Sequence, residues 1–265
     1  MPTILRLPTE LKISSETLDD KTLLWAGEKK WGKTSFIAQW PGHFILECEP
    51  GNANHVTANY VDVHNWEEAK EYLTLLEENP QYCTYACIDD VPSLYNYCVK
   101  YITKLLKLTI LEALEFKGWG AIRREFESFI DRFQALKMGK HYTAHTEVVT
   151  AKDLRGREIS KLETTMSKQC NEIMDGKTHF WGIFLRREKG ERILVLEGDS
   201  FLKAGHGFKN HFWKNGVQLK EIDMGSSPEM AYQNFMEAYN NYGTNNITAN
   251  HQNSNTRRTI TIPKS

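Results

Sequence analysis

Residues 26–35 read AGEKKWGKTS, a polar, glycine-rich stretch set between two segments that both belong in a core. Residues 22–26, TLLWA, read as a short buried strand, and residues 33–40, KTSFIAQW, read as a helix stopped by Pro41. Gly27, Gly32, Lys33 and Thr34 are spaced as G-x-x-x-x-G-K-[ST], and a strand before with a helix after is the context that pattern requires. A loop that wraps a polyphosphate must turn its backbone N–H groups inward, and glycine permits the dihedrals this needs. The stretch Gly27, Glu28, Lys29, Lys30, Trp31, Gly32, Lys33, Thr34 and Ser35 is therefore expected to cradle ATP. Lys33 would reach the β- and γ-phosphates, and the Thr34 hydroxyl would ligate Mg²⁺.

Hydrolysis needs carboxylates as well. The apolar run YACIDD ends in Asp89 and Asp90, and Asp89, first after the run, is expected at the strand edge beside the loop, holding Mg²⁺ through water. FILECEPG ends another strand with Glu47 and Glu49. Glu49, closer to the loop, is the expected group that orients or deprotonates water. HYTAHT ends in His145, a polar side chain placed to sense the γ-phosphate and to pass that signal into the segment that follows.

Strands at 22–26, 43–48, 61–63, 85–90 and 140–145 alternate with helices at 33–40, 66–78, 93–107 and 119–137. Asn65 with Glu68 makes a capping box for the second helix. This alternation predicts an α/β fold with a mainly parallel sheet and helices on its faces. After His145 the pattern changes to two hairpins, EVVTAKDLRGREIS with its turn at DLRG and HFWGIFLRREKGERILVLEG with its turn at EKGE. A last helix is expected at 228–240. The division is then an N-terminal segment 1–20, an ATPase domain 21–225, a C-terminal helix 226–242 and a disordered Asn-, Thr- and Ser-rich tail 243–265.

Composition narrows the rest. The formal charge of −1 excludes a global field for nucleic acid, so any such contact needs a local patch. No apolar run is long enough to cross a membrane, and MPTILRLPTE lacks the features of a secretory signal. A cytoplasmic protein that does not engage a membrane is expected. The five cysteines show no C-x-x-C pair and read as free buried thiols rather than a zinc site.

The segments WAGEKKWGKTSFIAQWPGHFILECEPG, ACIDDVPSLY, WGAIRREFESFIDRF, HYTAHTE and DLRGREIS fall in an order that resembles phage-encoded RecA-like P-loop ATPases. That group is similar to the RecA/Rad51 core and includes phage nucleotide-binding proteins and single-strand-annealing recombinases; the resemblance spans about residues 20–210. It implies a RecA-like core that hydrolyses ATP with Mg²⁺, acts in DNA recombination, annealing or replication, and works in the host cytoplasm. It implies a catalytic set of Lys33, Glu49, Asp89 and His145, with Thr34 and Asp89 at the metal. It also implies single-stranded DNA as a partner, a homo-oligomeric ring or filament, and a single-strand-binding protein as a further partner. The hairpin after His145 corresponds in order to the DNA loop of such proteins and carries Lys152, Arg155, Arg157 and Lys161, balanced by Glu147, Asp153, Glu158 and Glu163. Lys203, in SFLKAGHGFKN, is the expected cation that reaches a neighbouring subunit's γ-phosphate. Two alternatives remain, a nucleotide or nucleoside kinase and a non-catalytic nucleotide-binding assembly module. An AAA-type ATPase is disfavoured, because such chains end in a helical lid whereas 176–223 reads as strands and turns.

Overall fold

In a computed structural model the described residues are 17–109, 118–152 and 155–243. The strands are β1 (Thr22–Gly27), β2 (His43–Glu47), β3 (Tyr60–Asp62), β4 (Tyr85–Asp89), β5 (Gly139–Lys152), β6 (Glu158–Thr164), β7 (Phe180–Arg186), β8 (Arg192–Val195), β9 (Gly205–His206), β10 (Trp213–Lys214), β11 (Val217–Gln218) and β12 (Glu221–Asp223). The helices are α1 (Lys33–Ile37), α2 (Trp66–Glu78), α3 (Val91–Leu106), α4 (Trp119–Ala135), α5 (Lys168–Asp175) and α6 (Pro228–Asn240).

The main sheet runs β12-β8-β7-β1-β5-β4-β2-β3, with β6 paired to β5 and β9 to β7. From β7 to β3 every neighbouring pair is parallel, while β8 and β12 extend the sheet antiparallel. The strand carrying the loop, β1, is therefore central and buried at all six positions, as parallel strands covered on both faces must be. This mainly parallel sheet with helices on both faces bears out the expected α/β class.

Alternation along β1 assigns the two faces. Leu24 and Ala26 join Tyr142, Phe126 and Phe133 in one core, under α2, α3, α4 and α5. Leu23 and Trp25 join Phe36, Trp40, Phe180, Phe184 and Phe235 in the other, under α1 and α6. Thus α6 belongs to the second core, with Phe235 packed edge-on against Trp25 at 5.1 Å between ring centroids.

Several boundaries differ from the sequence reading. The α-helical part of α1 ends at Ile37, and tighter turns (Gln39 N–H to Phe36 O, Trp40 N–H to Ile37 O) carry the chain to Pro41. Helix α3 starts at Val91 because the Asp90 side chain, and not a residue further on, accepts the capping bond from Ser93 N–H. Helix α5, capped by Ser167, is absent from the sequence reading. The Asn65 cap on Glu68 N–H is formed, as are the β5–β6 and β7–β8 hairpins. Part of the expected DLRG turn (153–154), most of the N-terminal segment (1–16) and the tail from 244 lie outside the described residues. All five cysteines are free and buried. Among the described residues no helix is long and apolar enough to cross a membrane.

Candidate functional site

The parallel strands deliver their C-terminal ends to one edge of the sheet. Gly27 pairs with His145 across β1 and β5, and Glu47 with Asp89 across β2 and β4. The loop, both acidic strand ends and the histidine are thereby brought together by topology alone.

Two glycines let the loop form. A Cβ on Gly27 would lie 2.9 Å from the Cβ of Phe184, so only glycine fits at the end of β1. Gly32 has φ of 105°, a left-handed conformation that side chains resist, and Lys30 also has positive φ. Trp31 is 2% exposed, stacked on Phe184 at 4.0 Å, with its indole N–H donating to Leu185 O. Arg192 lies over the same ring and donates to Trp31 O at 3.1 Å, and Arg186 donates to Lys30 O at 3.3 Å. The bulky residue inside the motif is thus an anchor pointing into the core, and the β7–β8 hairpin braces the loop from behind. Glu28, Lys29 and Lys30 face solvent, and Ser35 is half-buried.

Lys33 is buried and its ammonium donates to Gly27 O at 2.9 Å, Glu28 O at 3.0 Å and His145 Nδ1 at 3.1 Å. Burial lowers its pKa, opposed by the charges of Asp89, Asp90 and Glu49. With Lys33 donating, His145 Nδ1 must accept, so the ring proton sits on Nε2, which donates to Glu49 Oε2 at 3.1 Å. The sequence-chosen carboxylate is therefore the one that meets the histidine. Burial pulls the Glu49 carboxyl upward, but the hydrogen bond from His145 and the nearby Lys29 outweigh it and leave its pKa below the usual value.

Glu47 is in a different state. It is fully buried, with one oxygen accepting from Glu49 N–H at 2.9 Å and the other without a hydrogen-bond partner. Burial, reinforced by the charge of Asp89, raises its pKa to about 8. A carboxyl that is protonated at neutrality and sealed from water cannot take a proton from a nucleophile, which leaves Glu49 as the one of the two that is open to water.

Thr34 Oγ1 donates to Asp89 Oδ2 at 2.6 Å, and Thr143 Oγ1 donates to the other Asp89 oxygen. A hydroxyl and a carboxylate fixed side by side are hard oxygen donors, the kind Mg²⁺ selects, so Thr34 and Asp89 fit that ion. When bound it would neutralise phosphate charge. Thr143 was missed in the sequence, although it lies two residues before His145 on β5 and shares its face. Asp90 was missed too. It caps α3 with one oxygen, while the other, buried, lies 3.5 Å from His145 Nε2. The Asp89–Asp90 peptide is cis.

The remaining expected residues lie elsewhere. Lys152, Arg155 and Arg157 sit at the far end of the β5–β6 hairpin, with Lys152 opposite Glu158. Lys203 is paired with Asp175 at 2.6 Å and lies over the Trp181 ring in its own chain.

A family model described as an AAA domain matches residues 19–205. The AAA class, disfavoured from the sequence for want of a helical lid, is thus the family that matches, although strands and turns (β7 to β12) do follow as expected. No curated protein matches the chain. Among solved structures, the KaiC-like protein of the hyperthermophilic archaeon Pyrococcus horikoshii OT3 is similar, with a TM-score of 0.45 and 11% identity over 80% of this chain and 88% of that one.

Proposed function

The chain belongs to the AAA-domain family of P-loop ATPases, and from that premise we propose that it hydrolyses ATP with Mg²⁺ in response to single-stranded DNA. Lys33 holds the β- and γ-phosphates, Thr34 and Asp89 hold the ion, Glu49 accepts the proton of the attacking water, and His145 faces the γ-phosphate. The DNA ligand is the β5–β6 hairpin's, met by Lys152, Arg155 and Arg157 through backbone phosphates. The protein acts in phage recombination, annealing or replication as a homo-oligomer, in which Lys203 would have to exchange Asp175 for a neighbour's phosphate.

One observation carries this reading. Strand β5 is continuous over Gly139–Lys152, buried up to His145 and projecting beyond it as a hairpin, so one strand joins the loop edge of the sheet to the hairpin end that carries Lys152. The test is ATP hydrolysis with and without single-stranded DNA, for wild type and Lys33→Ala. The expected result is hydrolysis stimulated by DNA in the wild type and abolished in Lys33→Ala, whose ATP binding is lost while its fold is kept. Hydrolysis indifferent to DNA would refute the DNA assignment, and unchanged ATP affinity in folded Lys33→Ala would refute the phosphate loop.

A further inference from the structure

Beside the Thr34–Asp89 pair lies a second group of donors that the proposed chemistry leaves partly unused. Glu49, Asp90 and His145 each turn one ligand atom toward a common point, and these atoms all lie within 4.8 Å of one another. His145 Nε2 is 3.1 Å from Glu49 Oε2 and 3.5 Å from Asp90 Oδ2. An ion held at the usual ~2.1 Å from nitrogen and oxygen donors spaces them roughly 3.0–3.4 Å apart, depending on coordination number. The two separations from His145 lie close to that spacing, and closing Glu49 and Asp90 onto the same ion completes the set.

A separate observation comes from Asp90. It is 2% exposed, and its Oδ2 has no hydrogen-bond partner although it faces this point. An ionised oxygen buried without a donor costs more than a neutral one, and an ion is among the few partners that satisfy it. Local charge points the same way. Asp89, Asp90 and Glu49 converge on one buried ammonium, Lys33, with exposed Lys29 adding a contact to Glu49 at 3.6 Å.

We propose that Glu49 Oε2, Asp90 Oδ2 and His145 Nε2 form a divalent-cation site, separate from the Thr34–Asp89 pair and able to fill without nucleotide. One imidazole with two carboxylates favours a first-row transition ion of the Mn²⁺ or Zn²⁺ class over Mg²⁺. Ligation through Nε2 moves the ring proton to Nδ1, which then cannot accept from Lys33. Lys33 keeps its two loop carbonyls, so the exchange strands no charge. Ligation by an ion lowers the basicity of the Glu49 carboxylate, so occupancy slows hydrolysis.

The site stands on this geometry and not on the ATPase reading, so it is tested without nucleotide. The full chain is titrated with Mn²⁺ by electron paramagnetic resonance and with Co²⁺ by visible absorption. One ion per chain is expected, not displaced by a tenfold excess of Mg²⁺. Asp90→Asn should weaken binding at least about tenfold, the lower end of what even indirect ligand partners contribute. Asparagine is as good an N-cap as aspartate, so α3 should survive that change. His145→Gln should behave alike, and Thr34→Ala should leave Mn²⁺ affinity unchanged. Absence of binding in the wild type, or equal binding by Asp90→Asn and His145→Gln, would overturn the site. Loss of binding in Thr34→Ala would assign the ion to Asp89 instead and overturn it equally.

Discussion

Glu47→Gln gives the sharpest test of how this buried edge handles charge. Folding carries the carboxyl from a pKa of 4.5 to about 8, chiefly through burial. Below about pH 4.5 the acid is protonated in both states and folding is not penalised. Between there and pH 8 the unfolded chain ionises while the folded one does not, so stability falls as pH rises. At 1.36 kcal/mol per pKa unit the loss reaches about 3 kcal/mol at pH 7 and about 5 kcal/mol above pH 8. Glutamine keeps the shape and accepts from Glu49 N–H through its carbonyl, but it cannot ionise. Its NH₂ replaces an oxygen that already lacks a partner, which costs about 1–3 kcal/mol at every pH. The difference between the two proteins should therefore change steadily with pH and favour the variant increasingly above neutrality. Urea unfolding of both proteins at pH 5, 6, 7 and 8, without Mg²⁺ or nucleotide, measures it through the midpoints at constant m-value. Parallel stability curves would refute a Glu47 held neutral in the fold, and with it the argument that leaves Glu49 as base.

The other expectations are brief. Glu49→Gln should bind ATP normally and hydrolyse it at least about tenfold more slowly in a single-turnover assay, a floor below the usual ~10²–10⁴-fold general-base effect, while Glu47→Gln retains turnover. Trp31→Ala should cost about 3–5 kcal/mol in chemical denaturation and loosen ATP binding, whereas Trp31→Phe, which keeps the stack on Phe184, should lose far less. Replacing Lys152, Arg155 and Arg157 together by Ala should flatten the log–log salt dependence of single-strand binding by about two units, roughly 0.7 per contact, with ATP affinity unchanged.

The loop was legible because its signal is local. Gly27, Gly32, Lys33 and Thr34 announce themselves by spacing, and the largely apolar β1 before them reads as a buried strand. The Asn65 cap and the two hairpins were legible for the same reason. What escaped depends on distant partners. Trp31 is expected from the sequence in the phosphate cradle, and only Phe184 and Arg192, far along the chain, make it an anchor instead. Asp90 was passed over because Asp89 comes first after the apolar run, yet its surroundings are set by α3 on one side and β5 on the other. Helix α5 is short, and its Cys170, Ile173 and Met174 give one apolar face too brief to stand out among polar residues. The choice of Glu49 over Glu47 rested on closeness to the loop. Burial supplies the stronger reason, because it withholds from Glu47 both water and ionisation at neutrality.

The β5–β6 hairpin has a mechanical property that its charge balance hides. Both of its ends attach at one residue, since β5 leaves the sheet at His145 and the returning chain bonds Thr165 N–H to His145 O at 2.9 Å. Immediately beyond, Thr146 faces Thr164 across the ribbon, and both hydroxyls are buried without a hydrogen-bond partner. Such groups forgo a net stabilisation that another arrangement of the same strands could recover. Further out, Leu162 N–H donates to Phe201 O at 2.7 Å and ties the ribbon to the segment carrying Lys203. A phosphate that draws Lys33 away from His145 Nδ1 changes the ring's partners at the point where both hairpin ends meet. On the proposed function, nucleotide would then act on the residue to which both hairpin ends attach, and no longer chain of contacts would be needed to couple the two.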